Sequence, residues 1–168
     1  YHYLLARCYG PIILIKETPD INTTVDSYAH RAPYDECVQW ICDKLDAAAA
    51  DLPERRNQIQ YGLATSVAAK AVKAKMLLYA ASPLFNERAP ELYRNLRDPD
   101  NGTQLMPTAY DANKWVKARE AIKEAIDIAE QNGYHLYNKQ DRFIGEAGKN
   151  QYPAAGPVRC LRLMTLDY

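Results

Sequence analysis

Three long stretches of this sequence place an apolar residue at every third or fourth position, and this spacing constrains the fold more than any other feature. Residues at such spacing form one face of an α-helix, which must pack against other elements to leave water. The first helix is predicted over 34–51, the second over 65–81 with Thr65 or Ser66 as N-cap, and the third over 111–131 with Asp111 as N-cap. The residues expected to form the buried faces are Tyr34, Val38, Ile41, Leu45, Ala48 and Leu52; Val67, Ala71, Ala74, Leu78 and Ala81; and Trp115, Ala118, Ile122, Ile126 and Ala129.

The remaining stretches are shorter or irregular. Residues 1–9 read as the last turns of a helix that ends at Gly10-Pro11, because proline cannot extend a helix. A short buried extended stretch at 12–15 and a polar loop at 16–32 follow, and 83–110 is irregular. We therefore predict a single all-α domain over 1–168, with tetratricopeptide-like helix-turn-helix repeats in about 1–137, long irregular loops, and a loop-rich tail at 138–168.

Composition narrows the kinds of partner. Lys plus Arg and Asp plus Glu number 21 each, so the chain lacks the positive field that attracts nucleic acid or an anionic membrane. The 13 tyrosines, against 2 Phe and 2 Trp, suit a surface that recognises a polar, ring-shaped ligand, and equally suit packing within a helical repeat. The first residues already have helical spacing without a helix start signal, and the last residues lack a helix cap. We therefore expect this chain to be an excerpt of a larger protein.

Four stretches, in this order, resemble the SusD/RagB family of Bacteroidetes surface proteins. The opening 3–15 (YLLARCYGPIILI) is similar to the family's helix and its glycine-proline exit. The stretch 43–53 (DKLDAAAADLP) resembles a second family segment, and 68–86 (AAKAVKAKMLLYAASPLFN) resembles the family's most characteristic helix. The stretch 115–118 (WVKA) is similar to the start of the next family helix. The resemblance covers most of 1–137.

The resemblance implies an outer-membrane, cell-surface protein that captures an oligosaccharide or polysaccharide and passes it to a TonB-dependent, SusC-like transporter. In that family a lipid anchor near the mature N-terminus makes the membrane contact. We expect that anchor to lie outside this segment, so none of Cys8, Cys37, Cys42 and Cys160 is assigned to it. The resemblance implies no cofactor.

A sugar site combines an aromatic ring with groups that hydrogen-bond hydroxyls, so tyrosines near Asn, Asp or Arg in loops are the candidates. One group of such residues lies in 86–110, and a second lies in the tail. The residues we predict to bind ligand are Tyr93, Asn101, Tyr110, Tyr152, Arg159 and Tyr168. Their neighbours in the two groups are Asn86, Arg94, Asn95, Arg97, Asp98 and Asp100, and Asn150 and Gln151. Structural packing is the alternative role for each tyrosine, and Trp115, Tyr79 and Tyr34 are expected in the core.

Metal and catalytic sites are not predicted. The stretch 98–102 (DPDNG) resembles the start of a calcium loop, but the bidentate glutamate is missing, so a turn is expected. His2, His30 and His135 have no second ligand at metal spacing in the sequence. Glu120, Glu124 and Asp127 are explained by a solvated helix face, so we predict a binding module rather than an enzyme. The alternatives are a helical-repeat scaffold for a protein or peptide and, third, a glycoside hydrolase domain.

Overall fold

The computed structural model describes residues 1–24, 30–60 and 62–136, and the described part is built from α-helices. The helices are α1 (His2–Tyr9), α2 (Tyr34–Asp51), α3 (Ser66–Ala81), the short α4 (Ala89–Leu92) and α5 (Asn113–Gln131), with a 3₁₀ turn at Gln58–Gln60. Strand pairing within these residues is limited to one isolated bridge between Arg97 and Gln104. The predicted all-α class is confirmed. No described helix is long and apolar enough to span a membrane.

The chain divides into two units, Tyr1–Asn132 and Gly133–Tyr168, and the helices among the described residues belong to the first. The tail predicted over 138–168 lies outside the described residues, so its loop-rich character stays a prediction.

Local chemistry explains where the helices begin and end. The Thr65 side chain accepts a hydrogen bond from the backbone N–H of Ala68 at 3.2 Å, which is the predicted N-cap of α3. Gly10 ends α1 with a φ of +73°, and Gly133 follows α5 with a φ of +74°, both in the left-handed region that favours glycine. Asp111 lies just before α5 and accepts from the backbone N–H of Asn113 at 2.9 Å.

The main core joins α1, α2 and α3 with the residues that follow α3. Tyr34 is fully buried and stacks on Phe85, with ring centroids 4.6 Å apart. The buried Cys37 thiol donates to the carbonyl of Ile12, which also accepts the backbone N–H of Ala32. The stretch 12–15 alternates between buried Ile12 and Leu14 and exposed neighbours, so it is half-buried rather than wholly buried as predicted.

A second, smaller cluster joins α3 to α5 through small side chains. Ala74 of α3 packs with Ala121 and Ala125 of α5, which lets the two helix backbones approach closely. The predicted buried faces of these helices are therefore partly wrong. Ala71 and Leu78 on α3 are exposed, as are Trp115 and Ile126 on α5, because the contacts run through alanines beside the predicted stripes.

Candidate functional site

The loop between α3 and α5 is closed at its base by Asn86. Its side-chain amide donates to the backbone carbonyl of Asp111 and accepts from the backbone N–H of Asp111, both at 2.9 Å. The Asn86 side chain is fully buried. A buried amide that lost these partners would cost about 1–3 kcal/mol. Asn86 therefore fixes the two ends of the loop instead of contacting a ligand.

The interior of this loop is packed onto the main core. Tyr93 is half-buried against the core cluster, and its backbone carbonyl accepts a hydrogen bond from the Gln104 side chain at 3.2 Å. Leu105 is fully buried; its N–H donates to the carbonyl of Leu96, and its own carbonyl accepts from the N–H of Tyr34. Tyr93, one of the predicted ligand residues, is thus largely engaged in packing.

The predicted turn at 98–102 is present. The Asp98 carboxylate accepts the backbone N–H groups of Asp100 and Asn101 at 3.1 and 3.3 Å, and Gly102 has a φ of +70°. Asn101 is exposed, and its side-chain oxygen accepts the N–H of Thr103. Its side-chain nitrogen has no partner within the described residues, so it can still donate to a ligand.

Two aromatic side chains near the start of α5 face solvent. Tyr110 exposes 53% of its surface and Trp115 exposes 42%. The prediction that Trp115 packs in the core is wrong, because α5 turns Ala118, Ala121 and Ala125 toward the rest of the fold. Exposed rings of this kind can lie against the apolar face of a sugar, while the tyrosine hydroxyl and the indole N–H form hydrogen bonds.

The other predicted ligand residues, Tyr152, Arg159 and Tyr168, lie outside the described residues, as do Asn150 and Gln151. They stay predictions.

A groove of about 470 Å³ runs between α2, α3 and α5. It continues into a cavity of about 160 Å³ that shares Gln39, Leu77 and Lys117 with it. Aromatic rings are absent from the described lining, and six of its ten residues are charged. This groove was not predicted from the sequence, because the charged residues that line it have the pattern of solvated helix faces. The residues that line it are Gln39, Cys42, Asp43, Asp46, Lys73, Leu77, Lys117, Glu120, Ala121 and Glu124.

An ion-pair network beside the groove ties the three helices together. The Lys70 ammonium of α3 lies 2.9 Å from an Asp46 oxygen of α2 and 2.8 Å from a Glu124 oxygen of α5. Lys73 pairs with the same Asp46 carboxylate. Glu124 is therefore part of a contact between helices, and its assignment to a purely solvated face is wrong.

The ion-pair network also shifts the pKa values of the groups that form it. Partial burial acts to raise the pKa of Asp46, but the hydrogen bonds from Lys73 and Lys70 outweigh it and lower the pKa below its ordinary value. The pKa of Lys70 is raised, first by its hydrogen bond to Glu124 and then by that to Asp46. Burial raises the pKa of the Cys42 thiol to about 11, so this thiol stays protonated at neutral pH. Ion pairs that stay charged and a thiol that stays neutral are suited to a stable binding surface, whereas proton transfer requires a group that changes its protonation state near neutral pH.

Comparison with known proteins gives a match to one family model and a likeness to solved structures. Residues 1–78 match the model of the SusD-like_3 family, described as "Starch-binding associating with outer membrane". The solved structure of BT4246 is 36% identical, with a TM-score of 0.71 over 89% of this chain and 28% of that one. Its selenomethionine form is also 36% identical, with a TM-score of 0.67 over 90% of this chain and 27% of that one. Among curated proteins none matches.

The chain thus spans less than a third of the length of these solved structures. The resemblance noted in the sequence is confirmed by the family match and by the shared helical fold. The match over residues 1–78 and the likeness to BT4246 support a segment of the SusD-like family, whose description is starch binding in association with the outer membrane.

Proposed function

We propose that the protein binds a glycan at the outer-membrane surface and delivers it to a TonB-dependent, SusC-like transporter. The observation that carries this proposal is the family match over residues 1–78, whose description names starch binding and the outer membrane. The glycan, the transporter and the lipid anchor are properties of a whole protein, and this chain spans 28% of BT4246. All three are therefore part of the proposal.

Within the described residues, Tyr110 is the strongest candidate for contact with the glycan. It exposes 53% of its surface, whereas Tyr93 is half-buried and packs against the core. Stacking requires an open ring face, so the two predicted tyrosines differ in what they can offer. The exposed Asn101 amide supplies a donor for a sugar hydroxyl, and Trp115 adds a second exposed ring. Tyr152, Arg159 and Tyr168 remain proposed contacts from the tail.

The test is affinity electrophoresis of the protein in native gels that each contain one soluble polysaccharide. We expect at least one glycan to retard the protein. Tyr110→Ala should weaken that retardation at least about tenfold, because a stacked aromatic anchor is worth more than about 1.4 kcal/mol. The matched control is Tyr9→Ala, since Tyr9 is an exposed tyrosine of α1 outside the predicted site. Equal retardation of the two variants would reject Tyr110 as a contact.

The alternative function is a helical-repeat scaffold that binds a protein or peptide. The open, charged groove between α2, α3 and α5 supports it, because Lys117 and Glu120 lie on its wall without an ion-pair partner in the described part. Replacing both with alanine separates the two proposals. Loss of transporter co-purification with unchanged glycan retardation would assign the groove to a protein partner. Loss of glycan retardation alone would assign the groove to the glycan.

A glycoside hydrolase is the least supported of the three functions. Two carboxylates that line the groove, Asp46 and Glu124, share the Lys70 ammonium. A glycosidase needs one carboxyl group that can hold a proton near neutral pH. The pKa of Asp46 is instead shifted below its ordinary value, which is the opposite of what a proton-holding carboxyl group requires.

A further inference from the structure

The fold brings together three metal-ligating side chains that do not line the groove. His30 precedes α2, whereas Asp98 and Asp100 belong to the turn at 98–102. The His30 Nδ1 atom lies 3.6 Å from Asp98 Oδ1 and 3.4 Å from Asp100 Oδ2. One ligand atom from each residue lies within 4.8 Å of the other two. The sequence does not reveal these ligands for His30, because Asp98 and Asp100 are distant from it in the chain.

The distances suit a shared ion better than direct hydrogen bonds. An N–H···O hydrogen bond has a donor–acceptor distance of about 2.7–3.2 Å, and both His30 distances exceed this range. Nitrogen and oxygen ligands bind zinc at about 2.0–2.1 Å, so two of them on one tetrahedral ion are roughly 3.3 Å apart. The observed separations of 3.4 and 3.6 Å are close to this ligand–ligand distance.

Charge and burial favour a cation at the same place. The carboxylates of Asp98 and Asp100 have no lysine or arginine partner within the described residues, and Arg97 donates instead to the Gly102 carbonyl. The Asp98 side chain is 4% exposed and is fixed by two backbone N–H groups. His30 and Asp100 are exposed, with 53% and 71% of their side-chain surface open to solvent, which gives an ion a route of entry.

We propose that His30, Asp98 and Asp100 form a binding site for a divalent transition metal, with Zn²⁺ as the preferred ion. One imidazole and two carboxylates give a mixed nitrogen and oxygen set, and the two negative charges balance the ion. Three protein ligands leave a fourth tetrahedral position for water. The bound ion joins the segment before α2 to the turn that carries Asn101, so it fixes the conformation of that turn. This proposal does not depend on glycan binding.

The test is metal binding by the protein in a background in which Cys8 and Cys160 are changed to serine, which leaves only the buried thiols of Cys37 and Cys42. Zn²⁺ is titrated against a chromophoric chelator, and Co²⁺ is added separately because a tetrahedral site gives it an intense visible spectrum. We expect one equivalent to bind and the melting temperature to rise with Zn²⁺. His30→Gln and Asp100→Asn should each weaken binding by more than about tenfold.

The matched controls are His2→Gln and Asp51→Asn, which change the same residue types at other places and should bind Zn²⁺ like the parent. Circular dichroism of all variants separates loss of the site from loss of the fold. Failure of the parent to bind Zn²⁺ or Co²⁺ would overturn the proposal. So would binding that survives in folded His30→Gln, or a Co²⁺ spectrum without tetrahedral intensity.

Discussion

Replacing Lys70 with methionine removes the charge at the centre of the network that joins α2, α3 and α5. Methionine has nearly the same length and helix propensity as lysine, so the change isolates the ammonium group. In the native protein this group lies 2.9 Å from Asp46 and 2.8 Å from Glu124. After the change, Asp46 keeps Lys73, whereas Glu124 loses the one ion-pair partner it has in the described part.

The size of the effect follows from how far the groups are buried. An exposed ion pair contributes about 0.2–1 kcal/mol, and removing one partner of a buried pair costs about 3–5 kcal/mol. The Lys70 side chain is 19% exposed, but Asp46 and Glu124 are 39% and 44% exposed, so water screens both pairs. We therefore expect a loss of about 1–2 kcal/mol in the free energy of unfolding, or about 2–8 °C in melting temperature.

Urea unfolding followed by circular dichroism measures this loss, with Lys75→Met as the control. Lys75 is an exposed lysine on the same helix and has no ion pair within the described residues. We expect the control to change stability by less than about 0.5 kcal/mol. A Lys70→Met variant no less stable than Lys75→Met would refute the reasoning. A double-mutant cycle with Glu124→Gln would then locate the error.

Four further predictions follow from particular contacts. Asn86→Ala should lower the unfolding free energy by about 1–3 kcal/mol in urea, and a loss below about 0.5 kcal/mol would contradict the loop-closing role. Tyr34→Phe should raise the free energy of unfolding or leave it unchanged, because the buried hydroxyl has no partner in the described part; a loss of more than about 0.5 kcal/mol would reveal a partner. Cys42, with a pKa of about 11, should resist iodoacetamide near pH 8 while exposed Cys8 is alkylated, as mass spectrometry would detect. Because the pKa of Asp46 is lowered in the folded protein, its ionised form contributes stability above the ordinary Asp pKa of about 3.9, and this contribution is lost as pH falls through the folded pKa. In acid unfolding, the stability of Asp46→Asn should therefore converge with that of the parent over this pH range. A stability difference that stays constant with pH would be inconsistent with this reasoning.

The helices could be predicted well because their signals are local. The apolar spacing gave the bounds of α2, and Thr65 and Ser82-Pro83 marked the two ends of α3. Capping groups and proline act within a turn of the helix end, so the sequence alone carries that information. The family resemblance drew on the same local segments.

The buried faces of α3 and α5 could not be predicted with the same success. Helix α3 contacts both α2 and α5, so its buried residues are spread around the helix instead of forming one stripe. On α5 the large residue Trp115 is exposed while Ala121 and Ala125 are buried. A pattern that ranks residues by hydrophobicity places the tryptophan inward, whereas close packing of the two helices selects alanine.

The contacts at the candidate sites that could not be predicted from the sequence join residues that are distant in the chain. The clamp between Asn86 and Asp111 and the approach of His30 to Asp98 join residues far apart in the chain. Neither leaves a periodic signal. Residue type and loop position do not reveal burial, so the predicted ligand residues include half-buried Tyr93 beside exposed Tyr110.

The most direct test of the central claim is whether the protein binds a soluble glycan at all. Titration calorimetry of the protein with the polysaccharide that retards it in native gels gives the affinity, and Tyr110→Ala and Tyr9→Ala are titrated alongside. The account predicts saturable heat for the parent and for Tyr9→Ala, and a clear loss of affinity for Tyr110→Ala. Absence of binding heat with every glycan in the panel would contradict glycan capture and favour the protein-binding scaffold.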